Sequence, residues 1–276
     1  MISAVTEAAT AAPLAALLPA RQGKAWKVGT APLYGPRNHA ATSRITDGRR
    51  SLLVVEEGNR VELYGERPDL FPYTPDVVVD STDPASVATL ATRALRWLLA
   101  DLDAATIREA AAEKGWHHVL HAKGTALTEF GFHLIDQGVS PASTERPDGP
   151  GIKWASASGA EWGVWANGAG SNYSLTYEGP MSGLYGALPV LLPALHGHVP
   201  TDAGSPFTRH LTDRFPQLRP VDADEVEFGG YQDLHGWIAL PSRAELSDPV
   251  TDSTRVCAQV APAGVDFLLA AAAHLV

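Results

Sequence analysis

The sequence predicts an α+β fold, in which antiparallel β-hairpins form sheets that are covered by helices. Three observations indicate this class. Strand-like runs follow one another with short turns between them, each group of runs is followed by an apolar stretch with helical spacing, and this order recurs three times in 276 residues. The sequence therefore predicts two or three strand-strand-strand-helix units, packed as one or two compact domains.

The first predicted segment, residues 1–50, is a short amphipathic helix followed by a basic, extended arm. Glu7 precedes the apolar stretch 13–18 and Arg21 follows it, which is the reverse of the charge order in a secretory signal. Glycines and prolines in residues 22–50 favour an extended loop. The segment carries seven basic and two acidic residues, whereas the other 226 residues carry 14 basic and 29 acidic ones.

Residues 51–138 are predicted to form the first α+β unit. Two largely apolar runs, 52–57 and 60–64, flank the pair Gly58-Asn59, which supplies the positive φ angles of a tight hairpin turn. Downstream of this hairpin the sequence predicts a short strand, a capped helix and two further helical stretches, at 76–80, 83–102, 104–114 and 126–137.

The second and third units are predicted over residues 151–200 and 201–276. Each holds three strand-like runs and then an apolar helix. In the second unit these elements are predicted at 152–157, 161–166, 173–178 and 181–195. In the third unit they are predicted at 225–228, 235–240, 255–260 and 262–275. The closing helix is apolar enough either to pack internally or to form a homo-oligomer interface.

Composition narrows the possible classes of protein. A chain of this length with 45% apolar residues can bury a core without disulfides, and its single cysteine, Cys257, favours a cytoplasmic location. The net charge of −10 disfavours nucleic-acid binding by the molecule as a whole. No segment reaches the roughly 18–20 consecutive apolar residues of a membrane span, so no membrane association is predicted. No cofactor motif is found, and no cofactor is predicted.

A cluster of aromatic residues in the second unit predicts the favoured functional surface. It comprises Trp154, Trp162, Trp165, Tyr173 and Tyr177. Trp162 and Trp165 are three positions apart, so a regular strand directs them to opposite faces and at least one is expected to leave the core. An exposed tryptophan is a common anchor for a protein partner. The sequence therefore favours a non-catalytic binding or accessory protein, although core packing also explains each ring taken singly.

A second interpretation is a nucleic-acid accessory protein that binds through the basic arm. Its aromatic rings would stack on bases while its basic side chains contact phosphates. The candidate residues are Arg21, Lys24, Trp26, Lys27, Tyr34, Arg37, Arg44, Arg49 and Arg50. The same segment can instead fold back on the acidic remainder of the chain, which would neutralise its charge within the molecule.

A third interpretation is a metal-dependent hydrolase. His117 and His121 share a face whether their segment is a helix or a strand, and Asp136 follows as a possible carboxylate ligand. The zincin motif has glutamate directly after its first histidine, where this chain has His118, so a metalloprotease is not supported. Histidines on a surface or within a core are the alternative explanation of this cluster.

Overall fold

The computed structural model confirms the α+β class, with antiparallel sheets of five and eight strands among the described residues. The chain divides into two compact units, Met1–Lys114 and Gly115–Val276, and each holds one of these sheets. The structure describes residues 7–29, 36, 40–67, 74–146, 149–167, 172–194, 204–230, 233–242 and 249–276, without the side chains of 113, 114, 116 and 117.

The first unit is a five-stranded antiparallel sheet with helices on one face. Strands β1 to β5 are Lys27–Gly29, Ala41–Thr46, Ser51–Glu57, Arg60–Gly65 and Val77–Asp80. The described helices α1 to α3 are Ala11–Leu17, Ser86–Arg93 and Leu99–Lys114, and a π-helical turn at Ala94–Leu98 joins the last two. The strands lie side by side in chain order.

The predicted hairpin is confirmed, whereas the predicted extended arm contains regular structure. Gly58 takes a φ of +61° in the turn between β3 and β4, where Glu57 pairs with Arg60. Within the arm, β1 and β2 are strands of the sheet. Residues 41–46 read Ala-Thr-Ser-Arg-Ile-Thr, and their β-branched side chains favour a strand. Pairing with β3 then satisfies the backbone hydrogen bonds of β2. The glycine and proline content of the arm does not reveal this pairing.

The core of the first unit lies between one face of its sheet and helices α1 to α3. Val54 and Leu63 on β3 and β4 are fully buried in the same cluster as Leu90 and Leu98. Burial of one such aliphatic side chain contributes roughly 1.5–3 kcal/mol. The apolar pattern predicted over residues 83–102 is therefore the buried face of α2, the π-helical turn and the start of α3.

The second unit is an eight-stranded antiparallel sheet. Strands β6 to β13 are Ala142–Arg146, Gly149–Ala155, Glu161–Ala166, Tyr173–Pro180, Arg219–Asp222, Glu225–Phe228, His235–Ala239 and Arg255–Ala263. The described helices α4 to α8 are Trp116–Asp136, Met181–Tyr185, Leu188–Leu191, Pro206–Arg214 and Val265–Ala271. The order across the sheet is β10-β11-β12-β13-β9-β8-β7-β6.

The strands predicted for the second and third units share this one sheet. β9 and β13 are neighbours, with Tyr177 opposite Ala258, so these strands form a single folded body. Helix α4, which the sequence places at the end of the first unit, contacts β7 and α8 of this second body. The helix predicted over 181–195 is divided into α5 and α6, and Pro189 lies in the first turn of α6, where proline is tolerated.

The core of the second unit lies on one face of the eight-stranded sheet. The closing helix α8 buries Phe267, Leu268 and Leu269 in this core, so it packs internally. The indole Nε1 of Trp154 donates a hydrogen bond to the carbonyl oxygen of Leu275 at 2.8 Å, which ties β7 to the end of the chain.

Candidate functional site

The eight-stranded sheet has a second face on which no described helix of its unit packs. The buried side chains of α4 to α8 all belong to the one core cluster on the first face. Strand alternation directs the intervening side chains to the second face, which we call the open face. Its described side chains include Arg146, Lys153, Glu161, Trp165, Thr176, Glu178, Arg219, Glu227, Trp237, Arg255, Cys257 and Gln259.

A row of uncharged residues crosses the centre of the open face. Gly163 on β8 is opposite Thr176 on β9, Thr176 is opposite Gln259 on β13, and Gln259 is opposite Trp237 on β12. The row spans three strand intervals, which is about 14 Å. Thr176, Gln259 and Trp237 are each partly exposed. The row therefore offers a tryptophan and two hydrogen-bonding side chains on one accessible strip.

Trp165 lies at one end of this row and is held flat against the sheet. A Cβ atom added to Gly151 would lie 2.8 Å from the ring Cζ3 of Trp165, and one added to Gly163 would lie 2.9 Å from its Nε1. The two glycines thus provide the room in which the ring lies across β7 and β8. The ring Nε1 donates a hydrogen bond to Thr176 Oγ1 at 3.2 Å, which joins Trp165 to the row.

Two cations cover the outer side of the Trp165 ring. The guanidinium carbon of Arg146 lies 3.4 Å from the ring centroid, and the Lys153 Nζ lies 5.7 Å from it. A cation over an indole face is attracted by the ring quadrupole, with a free energy of about 0.5–2 kcal/mol. Trp165 is 5% exposed as a result. Arg146 itself is exposed, so movement of this one side chain would expose the part of the ring that it covers.

The other four aromatic residues of the predicted surface lie on the core face. Trp154, Trp162, Tyr173 and Tyr177 are each at most 3% exposed and belong to the core cluster. The Trp154 and Trp162 rings stack with centroids 6.4 Å apart, and Trp162 meets Tyr177 edge to face at 4.6 Å. Burial raises the pKa of Tyr177 to about 12. These four rings stabilise the sheet and its helices, and Trp165 alone among the five belongs to the open face.

Trp237 is the open-face residue that the aromatic prediction omits. The run His235-Gly236-Trp237-Ile238-Ala239 alternates, with Gly236 and Ile238 buried and Trp237 partly exposed. This alternation already indicated that Trp237 leaves the core. Its proximity to Trp165 depends on the pairing of β9 with β13, which is not a local property of the sequence.

Three arginines of the basic arm pair with carboxylates of the first unit. Arg21 contacts Asp103 at 3.2 Å, and Arg44 contacts Glu66 at 2.6 Å. Arg50 lies 2.8 Å from Asp47 and 3.4 Å from Asp103. These contacts support the alternative in which the arm folds back on acidic residues of its own chain.

The remaining residues of the arm fall into three groups. Trp26 is 5% exposed, belongs to the core of the first unit and lies 5.2 Å from the Arg50 guanidinium. Its ring is therefore not placed to stack on a base. Lys24, Lys27 and Arg49 are exposed. Tyr34 and Arg37 lie outside the described residues.

The first unit also contains a polar cleft of about 200 Å³. Its lining consists of Arg49, Arg50, Ser51, Glu66, Arg67, Leu102, Ala105 and Thr106. Arg67 is held by Asp76 at 3.2 Å and by Asp101 at 2.7 Å. Since carboxylates of the same unit already pair with Arg50 and Arg67, most of the positive charge in this cleft is neutralised internally.

The predicted metal ligands do not come together in the described part of the chain. His121 and Asp136 are both exposed on the single helix α4, 15 positions apart. A rise of 1.5 Å per residue separates them by about 22 Å, which is too far for one ion. The side chain of His117 lies outside the described ones. Among the described residues, no group of three or more His, Cys, Asp or Glu side chains is arranged to hold a metal ion.

Lys123 on α4 is a buried cation that the sequence pattern does not single out. It is 1% exposed, and its Nζ donates a hydrogen bond at 2.8 Å to the carbonyl oxygen of Asn167, the residue that directly follows β8. Burial lowers the pKa of Lys123. The contact attaches α4 to the strand that carries Trp165, so we assign Lys123 a role in positioning that strand.

Comparisons with known proteins add no relative from which a function can be transferred. No protein-family model matches the chain, and no curated protein or solved structure matches it. Within the described residues, no helix combines the length and the apolar character that crossing a membrane requires. The surfaces of the chain itself are therefore the basis for a functional proposal.

Proposed function

We propose that this chain is a non-catalytic binding protein that holds a protein partner on the open face of its eight-stranded sheet. The supporting observation is the uncharged row that ends in the partly exposed Trp237, with Trp165 hydrogen-bonded to its member Thr176. Tryptophan is enriched among the residues that dominate binding energy at protein interfaces. Because the other face carries the core, the open face is the side of the sheet on which a partner can lie.

The distribution of charge on the open face favours a protein over a polyanion. Three ion pairs flank the uncharged row. They are Lys153 with Glu161, Glu178 with Arg255 at 3.0 Å, and Glu227 with Arg219 at 3.1 Å. An uncharged centre with a polar surround is typical of protein interfaces. Arg146 is the one described arginine or lysine among these open-face residues without a carboxylate partner, whereas a surface for nucleic acid would present a cluster of unpaired cations to phosphates.

We also propose a cytoplasmic location. Cys257, the single cysteine of the chain, forms no disulfide within it and is partly exposed on the open face. A fold that contains no disulfide is typical of proteins that work in a reducing compartment.

The proposal is tested by capture of a partner from host lysate with the tagged full chain and with two variants. Trp237→Ala removes the partly exposed ring of the open face, and Phe132→Ala removes a ring that is 62% exposed on α4. We expect the wild type to retain a stoichiometric protein after nuclease treatment. Trp237→Ala should weaken this retention by about tenfold or more, the effect of losing a dominant interface side chain.

The control variant Phe132→Ala should retain the partner as the wild type does. Equal retention by all three proteins would contradict the proposed surface, and so would the absence of any retained protein. If nuclease treatment abolished retention of the partner, binding of nucleic acid through the exposed cations of the basic arm would replace the present proposal.

A further inference from the structure

We infer that strand β6 is an open sheet edge that binds an extended segment of the partner by strand addition, and that this segment carries an acidic residue. The inference rests on the proposed function, since it describes how the same partner is held. It concerns a different surface from the Trp237 row, namely the backbone of residues 142–146.

The other sheet edges in the described part of the chain are short, interrupted or capped. β1 is three residues long. On β5, the guanidinium Nη1 of Arg93 donates a hydrogen bond to the carbonyl oxygen of Val78 at 3.3 Å. β10 contains Pro220, and its register shifts between Pro220 and Asp222. Prolines, irregularities, short length and charged side chains are the usual means by which proteins prevent addition of a further strand.

Of these protections strand β6 has only charged side chains, those of Glu145 and Arg146. It pairs with β7 over five consecutive positions without a register shift, and it contains no proline. Four of its five side chains are exposed, and the fifth, Thr144, is partly exposed. No side chain among the described residues donates a hydrogen bond to its backbone. An edge of this kind presents a regular series of donors and acceptors to another extended chain.

The register identifies which backbone groups of β6 face outward. Glu145 is opposite Pro150. Because proline has no N–H group, these two residues cannot exchange the two backbone hydrogen bonds of a hydrogen-bonded pair. Bonded and non-bonded pairs alternate along an antiparallel ladder, so Ser143 and Glu145 occupy the non-bonded positions. Their N–H and C=O groups are therefore directed away from β7. These are the groups that an added strand would use.

The charge next to this edge favours an acidic residue in the added segment. Arg146 is exposed, stacks on Trp165 and has no carboxylate partner among the described residues. The neighbouring cation Lys153 is already paired with Glu161. An added strand would place a side chain beside Arg146 on the open face, where opposite charges across strands are favourable. Strand addition would also extend the open face by one strand.

Selection of random displayed peptides on the immobilised full chain tests the inference without knowledge of the partner. We expect selected peptides to alternate apolar and polar residues and to contain Asp or Glu at one recurrent position. Ser143→Pro removes one outward N–H and should weaken their binding by at least tenfold. The matched variant Ser143→Val keeps the donor and should bind them as the wild type does. Arg146→Gln should remove the preference for the acidic position.

Amide hydrogen exchange provides a readout that does not depend on how well the proline variant folds. Addition of a selected peptide to the wild type should slow exchange at Ser143 and Glu145. The inference is overturned by failure to enrich any peptide, by equal binding to the proline and valine variants, or by unchanged exchange at both amides. A partner could be captured in a Trp237-dependent manner even though one of these three results is obtained for β6. The proposed function would then stand, and only the strand-addition inference would be rejected.

Discussion

Single residues determine whether the ring of Trp165 lies flat on the open face. A Cβ at Gly151 would lie 2.8 Å from Cζ3 of the Trp165 ring, closer still to Cε3, and 2.9 Å from the carbonyl oxygen of Val164, so either the ring or the strand must move. We expect Gly151→Ala to lower the free energy of unfolding by about 1–3 kcal/mol, measured by urea denaturation. Gly186→Ala is the control, because no atom lies within 4 Å of its added Cβ. Similar losses in both variants would contradict the packing described for Trp165.

The carboxylate of Asp47 is expected to link stability of the first unit to pH. Burial alone would raise its pKa, but the charge of Arg50 and hydrogen bonds from Arg50 and Arg49 together lower it below the ordinary value of 3.8. A lowered folded-state pKa gives stability that is present above the unfolded-state pKa and is lost as the pH falls through the folded-state pKa.

Wild type should therefore lose stability relative to Asp47→Asn as the pH falls below about 4, in chemical denaturation across the acid range. Asp136→Asn removes an exposed carboxylate on α4 and serves as the control. The free energy of unfolding of wild type and of Asp47→Asn could instead differ by the same amount from pH 7 down through the acid range. In that case the ion pair between Asp47 and Arg50 would not make folding stability depend on pH.

At the scale of elements, helix α7 depends on a capping box at its first turn. The Ser205 side chain accepts a hydrogen bond from the Thr208 N–H at 3.1 Å, and the Thr208 hydroxyl accepts one from the Ser205 N–H at 3.2 Å. Ser205→Ala should lower the free energy of unfolding by about 0.5–2 kcal/mol and speed amide exchange in the first turn. Thr128→Ala, at an exposed interior position of α4, should cause no comparable loss. Equal effects would show that the cap is not what fixes the start of α7.

The elements that the sequence predicts well are those with a strong local signal. The β3–β4 hairpin follows from Gly58-Asn59 and the runs on either side, and the buried faces of α2 and α8 follow from apolar spacing. β2 and α7 have weaker local signals, because glycines and prolines lie close to them in the sequence. These residues obscure the β-branched side chains of β2 and the capping residues of α7. β6, with the sequence Ala-Ser-Thr-Glu-Arg, has almost no apolar content and is a strand because β7 pairs with it.

At the scale of the whole molecule, the two units divide the chain at Lys114 and Gly115. Each unit contains a complete sheet and its own core cluster, so the fragment 115–276 should fold without residues 1–114. We expect this fragment to unfold cooperatively with denaturant, as measured by circular dichroism. The shorter fragment 115–200 lacks β10 to β13 and should show no cooperative transition. A non-cooperative transition for 115–276 would mean that the second core needs the first unit.

The sequence by itself determined the α+β class, the hairpin turn, the apolar helix faces and the direction of Trp162 and Trp165 to opposite faces. Each of these depends on periodicity or turn chemistry within a few residues. Only the tertiary structure decided which face is open and which residues share it. Trp165 is joined to the row that contains Trp237 because β9 pairs with β13 across a long stretch of sequence, and strand order is set by the packing of the whole sheet.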